Sequence, residues 1–237
     1  MRSADANVPY CLVFGDVELS SRFGKTSVVR KPMSSLLEAT DRLERIPIAD
    51  GEVYYLSKLD LGSDDYRIFD QLIADVPWRQ ERILVWGKMY LQPRLVAWYG
   101  DRGSDYTYSS ITLTPLPWTD LLLEIKRRIE TVSAASFNSV LLNYYRDNRD
   151  SMGFHSDDEP ELGLRPVIAS ISLGQERTLI LKHKLNKLAQ PVRLKLASGS
   201  LLLMKGETQR YWNHGIAKES RPCGPRINLT FRRIVSN

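Results

Sequence analysis

The feature that most restricts the fold is the second half of the chain. After Phe137 it breaks into short β-forming runs, SVLLNYY, PVIASISLG, RTLILKHK, PVRLKLA, SLLLMKG and RINLTFRRI, separated by Gly, Pro and Asn. Strands so short and so closely spaced suggest a sandwich or double-sheet jelly roll. The first half is different in character. From Glu52 the run EVYYLSKLDL has strand composition, and Phe69, Leu72, Ile73 and Val76 then recur at helical spacing, with Ser63 the expected N-cap. The segment RILVWGKMYLQPR predicts a hairpin turning near Gly87, and Leu121, Leu122, Ile125 and Ile129 mark a second helix after Pro117. The expected architecture is mainly β with flanking helices on one outer face. Residues 1–50 are expected to form an N-terminal extension, loosely attached, with a helical candidate at SSLLEATDRLERI where Ser35 and Glu38 have capping-box spacing. The main domain is expected over 51–237.

At 237 residues the chain can bury one sizeable core. Its two cysteines, Cys11 and Cys223, have neither metal-ribbon nor disulfide-framework spacing, which points to a reducing compartment. No stretch approaches the 18 apolar residues of a bilayer span, so an intracellular protein of the cytoplasm or nucleus, without a membrane partner, is expected. A formal net charge of +5 would suit a polyanionic partner, although many basic proteins bind no nucleic acid.

Chemistry enters through the histidines, of which there are three. In GFHSDDE, His155 and Asp157 stand two residues apart, so in extended backbone both project to one side and can share a cation. His214 can close the site. Two imidazoles and one carboxylate on one face of a metal leave the opposite positions open, as Fe(II) needs when it activates oxygen beside a co-substrate. His183, between Lys182 and Lys184 on a strand, is expected to serve packing or a hydrogen bond instead.

In RINLTFRR, alternation sends Ile227, Leu229 and Phe231 to one side and Arg226, Asn228, Thr230 and Arg232 to the other. Two arginines facing into a cup would lose hydration with no return unless they met anions. A dicarboxylate would satisfy both, because a guanidinium fork matches carboxylate oxygens. Asn143 and Tyr145 share a side of LLNYY and could complete the cradle.

Taken in order, N-Y-Y, F-H-S-D-D-E, W-N-H and P-R-I-N-L-T-F-R resemble the AlkB family of Fe(II)- and 2-oxoglutarate-dependent nucleic-acid dealkylases, over roughly Val53 to Ile234. The resemblance implies a double-stranded β-helix, a cupin-like jelly roll. It implies that His155, Asp157 and His214 bind Fe(II), and that Asn143, Tyr145, Arg226, Asn228 and Arg232 bind 2-oxoglutarate, with O2 as second co-substrate. The implied reaction is oxidative removal of N-alkyl groups from damaged DNA bases, 1-methyladenine and 3-methylcytosine above all, with release of aldehyde, succinate and CO2. RNA or protein as substrate, and a non-catalytic nucleic-acid-binding module, are the alternatives.

Such bases hide their alkylated nitrogens in a duplex and must be flipped or offered single-stranded. By the same resemblance a nucleotide-recognition lid spans about residues 80–115. Tyr106 and Tyr108, followed by Ser109, stand where the family stacks aromatics on the flipped base, and Trp86, followed by Gly87 and Lys88, where some duplex-acting relatives carry an aromatic wedge. Asp158 and Glu159 could accept from an exocyclic amine. In place of the basic run that such relatives carry before the last strand, this chain has GIAKESRPCGP, in which Glu219 separates Lys218 from Arg221. A monomer is expected.

Overall fold

The computed structural model describes residues 42–85, 87–104, 106–108 and 111–235. Strands β1 (Glu44–Ile46) and β2 (Glu52–Leu56) precede helix α1 (Asp65–Asp75). There follow the hairpin β3 (Arg82–Val85) and β4 (Lys88–Leu91), strand β5 (Leu95–Gly100), a second hairpin of β6 (Tyr106–Tyr108) and β7 (Ile111–Leu113), and helix α2 (Asp120–Ser133). The second half comprises β8 (Ser139–Tyr145), β9 (Met152–His155), a 3-10 turn at Pro160–Leu162, β10 (Ile168–Gly174), β11 (Arg177–His183), β12 (Val192–Leu196), β13 (Leu201–Lys205), the single turn α3 (Thr208–Tyr211), β14 (Trp212–Ile216) and β15 (Arg226–Arg232).

Apart from the hairpins β3-β4 and β6-β7, these strands build two antiparallel sheets, one of seven in the order β1-β2-β13-β10-β15-β8-β5 and one of four in the order β12-β11-β14-β9. That is the double-sheet jelly roll expected from the strand spacing. The two faces of the large sheet bury different partners. Val140, Leu142, Ile227, Leu229 and Phe231 pack with Ile68, Leu72, Leu122, Ile125 and Ile129 of the helices. Val96, Trp98, Leu141 and Tyr145 face the small sheet, packing with Leu179, Leu181, Trp212 and Ile216. Period-two alternation in β8 and β15 thus sends every second residue into the space between the sheets.

Local chemistry explains the helix ends. The α1 cap is Asp64, whose Oδ1 accepts from the backbone N–H groups of Tyr66 and Arg67, and not Ser63 as expected; ionised, it also complements the helix N-terminus. Thr119 caps α2 by accepting from Leu122 N–H. Of the helical candidate at SSLLEATDRLERI, Ser35 and Glu38 lie outside the described residues. Its last three residues form β1 instead, paired with β2 through Glu44↔Tyr55 and Ile46↔Val53. Two glycines set close approaches near the future site. Gly174 takes φ +81, and a Cβ there would lie 2.6 Å from the Pro225 carbonyl oxygen, next to the point where Arg226 enters β15. At Gly215 a Cβ would come within 3.0 Å of the Met152 carbonyl oxygen, where β14 meets β9.

Phe231 is fully buried on the helix side, between Trp118 at 6.4 Å and Phe137 at 6.1 Å. Phe231→Ala is expected to cost about 3 to 5 kcal/mol in urea denaturation. Ligand affinity of the folded fraction should stay unchanged, because this side chain points away from the space between the sheets.

Candidate metal and co-substrate site

Strands β9 and β14 pair in the small sheet with His155 directly opposite His214, their ring centroids 4.4 Å apart. Asp157, two residues beyond the end of β9, turns its carboxylate towards both. His155 Nε2 lies 3.7 Å from Asp157 Oδ1, and His214 Nε2 lies 4.0 Å from Oδ2. One donor atom from each of the three residues lies within 4.8 Å of the other two, a cluster that could hold one metal ion.

The proton inventory suits a cation. His155 Nδ1 lies 2.9 Å from the Gly153 carbonyl oxygen, which can only accept, so Nδ1 carries a hydrogen and Nε2 is the nitrogen turned to the cluster. Burial, reinforced by the nearby His155, pushes the His214 pKa down to about 3, leaving a neutral imidazole at physiological pH. For Asp157 burial acts upward, but the Arg232 charge and the two imidazoles outweigh it and hold the carboxyl well below the usual range. Its Oδ1 accepts from Arg232 Nη2 at 2.8 Å, its backbone N–H donates to Gln209 Oε1 at 2.9 Å, and its Oδ2 is buried with no hydrogen-bond partner among the described residues. An ionised, buried oxygen without a donor is costly unless a cation meets it, and the neighbouring imidazoles fit a divalent metal that takes mixed nitrogen and oxygen ligands.

Asn143, Tyr145, Arg226, Asn228 and Arg232 line the same cavity as the cluster. The register explains why: Arg226 stands opposite Tyr145 and Asn228 opposite Asn143 on adjacent strands, so all project from one face. The face predicted from alternation in β15 is the face observed. Arg226 is 1% exposed, donates from Nη2 to Ser172 Oγ at 2.9 Å and packs 5.1 Å from the Tyr145 ring centroid. Its Nε and Nη1 are buried with no hydrogen-bond partner among the described residues, and desolvation holds its pKa below the usual guanidinium value. Arg232 sits at the metal end, on Asp157. The pair therefore divides, as a small diacid would require, into one guanidinium beside the donor cluster and one at the far end of the cavity. Asn228 has its amide engaged, donating to Ser170 Oγ at 2.6 Å and the Ile171 carbonyl at 3.0 Å and accepting from Thr230.

Sequence reading missed three supports of this site. Arg94 Nε donates to Asn143 Oδ1 at 2.7 Å, which fixes the amide so that its NH2 is the end left for the cavity. Gln209 holds the Asp157 backbone. Lys184 donates to Asp158 Oδ2 at 2.9 Å and to the Gln209 carbonyl at 2.8 Å. None lies near its partner in a motif, and only the fold brings them together. His183 is apart from the cluster: its Nδ1 accepts from the N–H groups of Leu185 and Asn186, and its Nε2 lies 3.2 Å from Asp50 Oδ2. It serves a turn, as its setting suggested.

The candidate base contacts are more scattered. Asp158 is half exposed, accepts also from Ser156 Oγ at 3.0 Å, and does not line the cavity of the metal cluster; Glu159 leads into the 3-10 turn. Gly87 takes φ +74 at an exposed hairpin tip, and Lys88 begins an exposed strand. Tyr106 and Tyr108 lie in β6, with side chains outside what is described; Trp86 and Ser109 lie outside the described residues.

A family model described as the 2OG-Fe(II) oxygenase superfamily matches residues 54–232. The chain is 44% identical over 188 residues to the alpha-ketoglutarate-dependent dioxygenase alkB homolog 3 of Mus musculus, covering 76% of this chain and 65% of that protein. It is 41% identical over 178 residues to the DNA oxidative demethylase ALKBH2 of the same species, covering 71% of this chain and 74% of the relative. A solved structure titled "The structure of OsALKBH1" superposes with a TM-score of 0.51 at 15% identity, over 80% of this chain and all of that one, a likeness of fold. The chain belongs to the AlkB family of 2OG-Fe(II) oxygenases. The match spans just under two thirds of the length of the alkB homolog 3 relative.

Proposed function

We propose that this chain is an oxidative dealkylase of nucleic-acid bases, with His155, Asp157 and His214 holding Fe(II) and Asn143, Tyr145, Arg226, Asn228 and Arg232 holding 2-oxoglutarate. The observation that carries the reading is the meeting, in one buried cavity, of a His-Asp-His cluster whose carboxylate has an orphaned oxygen and an arginine whose Nε and Nη1 have no hydrogen-bond partner among the described residues. One need is for a cation and the other for an anion. When bound, Fe(II) with 2-oxoglutarate and O2 supplies the oxidising chemistry that hydroxylates an N-alkyl carbon.

The protein's own contributions follow from the geometry. His214 offers a neutral lone pair and His155 its Nε2, and Asp157 offers a charge that stays ionised because Arg232 stabilises it. Arg226 fixes the far carboxylate of the diacid, while Arg94 orients the Asn143 amide towards it. Apolar walls from Leu179, Leu196 and Met204 limit water in the cavity, which strengthens each of these charge interactions.

DNA is the proposed substrate, supported by the name of the ALKBH2 relative and by the net charge of +5. We propose Tyr106, Tyr108, Ser109 and Trp86, with Gly87 and Lys88, as the base-handling lid over about 80–115, and Asp158 and Glu159 as acceptors near the base. Methylated single-stranded DNA, duplex DNA and RNA, assayed side by side, should give formaldehyde and succinate in equal amounts on at least one DNA form. A chelator should stop turnover and added Fe(II) restore it. No product from 1-methyladenine or 3-methylcytosine DNA with iron-loaded protein would overturn the reading, and turnover of RNA alone would move it to that substrate.

A further inference from the structure

Arg177 opens β11 in the small sheet and is 1% exposed, yet it does not line the cavity of the metal cluster. Its guanidinium is fastened almost wholly to backbone. Nη2 donates to the carbonyls of Asp150 at 3.0 Å and Ala217 at 2.5 Å, Nη1 donates to that of Asp147 at 3.3 Å, and Nε lies 3.4 Å from Glu219 Oε1. One side chain thus ties together the turn that follows β8 and the segment that leaves β14. Those strands carry Tyr145 and His214. The planar fork also lies 5.8 Å from the Tyr145 ring centroid, the same ring that Arg226 packs against at 5.1 Å.

A buried guanidinium is an expensive way to fill space, because an apolar side chain of similar volume would avoid its desolvation. Here it sits beside a second buried arginine, and the two charges repel. Each gains from the face of the shared tyrosine, but the arrangement still leaves an excess of positive charge at the far end of the cavity. Among the described residues Arg226 meets a serine oxygen and the tyrosine there, and no carboxylate. Such an excess is useful where a dianion must be held.

We propose that Arg177 is a positioning residue of the co-substrate cradle: it fixes the Tyr145 ring and the turn behind it, so that Arg226 is aimed at the distal carboxylate of the diacid. It acts through Tyr145 and Arg226 and touches no reactant. The inference rests on the assignment of the cavity to 2-oxoglutarate.

The test is calorimetric titration of the Fe(II)-loaded protein without oxygen, using 2-oxoglutarate and 2-oxobutyrate, which shares the metal-facing end but lacks the distal carboxylate. Arg177→Met should weaken 2-oxoglutarate by about tenfold or more while changing 2-oxobutyrate and Fe(II) affinity by no more than about twofold. Arg177→Lys, which keeps the charge but cannot span three carbonyls, should fall between parent and Arg177→Met. Parental 2-oxoglutarate affinity in a folded Arg177→Met protein would overturn the proposal. So would equal losses for both acids, which a merely structural role predicts. Should Arg177→Met not fold, Arg177→Lys decides by the same comparison of the two acids. A parent that binds no 2-oxoglutarate would instead refute the assignment of the cavity.

Discussion

Asp157→Ala is expected to lower Fe(II) affinity by at least about 100-fold and to remove measurable turnover, since loss of an outer partner alone costs a metal site 10- to 100-fold. The effect should exceed that of an ordinary surface carboxylate for two reasons. The carboxylate is 1% exposed, so no water replaces it, and it is the single anionic donor in the cluster. It is also the acceptor for Arg232 at 2.8 Å. Taking away one partner of a buried charge pair destabilises proteins by about 3 to 5 kcal/mol, so the variant should also melt lower without metal. Thermal unfolding with and without Fe(II) separates the two effects. The parent should gain stability as Fe(II) rises above its Kd, following mass action, whereas the variant should gain none at the same concentrations. His155→Ala should lose metal affinity with a smaller loss of apo stability, because His155 is the more exposed ligand and its Nε2, 3.7 Å from Asp157 Oδ1, makes no hydrogen bond to that carboxylate. Parental Fe(II) affinity in Asp157→Ala would remove the metal assignment altogether.

The parts of this architecture that could be read in advance are those whose pattern is carried within one element. Alternation in RINLTFRR separates Phe231, packed on the helices, from Arg226 and Arg232, facing the cavity, and β8 repeats the same division with Leu142 and Asn143. The H-x-D spacing brings the His155 and Asp157 donors together because the two residues flank a single position at the end of β9. Strands β9 and β14 were not recognisable, and the reason is functional. MGFH and WNHGI have little of the apolar run that marks a strand, because their positions are given over to ligands and, at Gly215, to a close approach of the two backbones. The α1 cap shows a smaller limit: Ser63 and Asp64 are both good capping residues, and only backbone geometry chooses between them. Arg94, Arg177, Gln209 and Lys184 lay beyond reach for a third reason. Their partners are 25 to 52 residues away along the chain, and arginine at the start of RTLILKHK looks like any solvated strand end until the turn after β8 folds over it.

Arg226→Met is expected to raise the KM or Kd for 2-oxoglutarate by roughly 30-fold to several thousand-fold, the range that corresponds to about 2 to 5 kcal/mol for truncating one partner of a buried charge pair. Fe(II) affinity should be near that of the parent, because Arg226 makes no contact with the His-Asp-His cluster in which Arg232 is the neighbouring cation. The sign of the effect on stability is the more telling readout. Without diacid, Arg226 is a buried charge with two N–H groups unmet and its pKa depressed by desolvation. Replacing it by an apolar residue of similar length removes that penalty, so the apo protein should be as stable as the parent or more so, as happens when buried ions give way to apolar packing. Addition of 2-oxoglutarate should then raise the melting temperature of the parent above its apo value and leave the variant where it was. A core position would behave in the opposite way, losing stability whether or not ligand is present. If Arg226→Met destabilises the apo protein while retaining parental 2-oxoglutarate affinity, the guanidinium is a structural element of the β8–β15 pair and the diacid binds elsewhere.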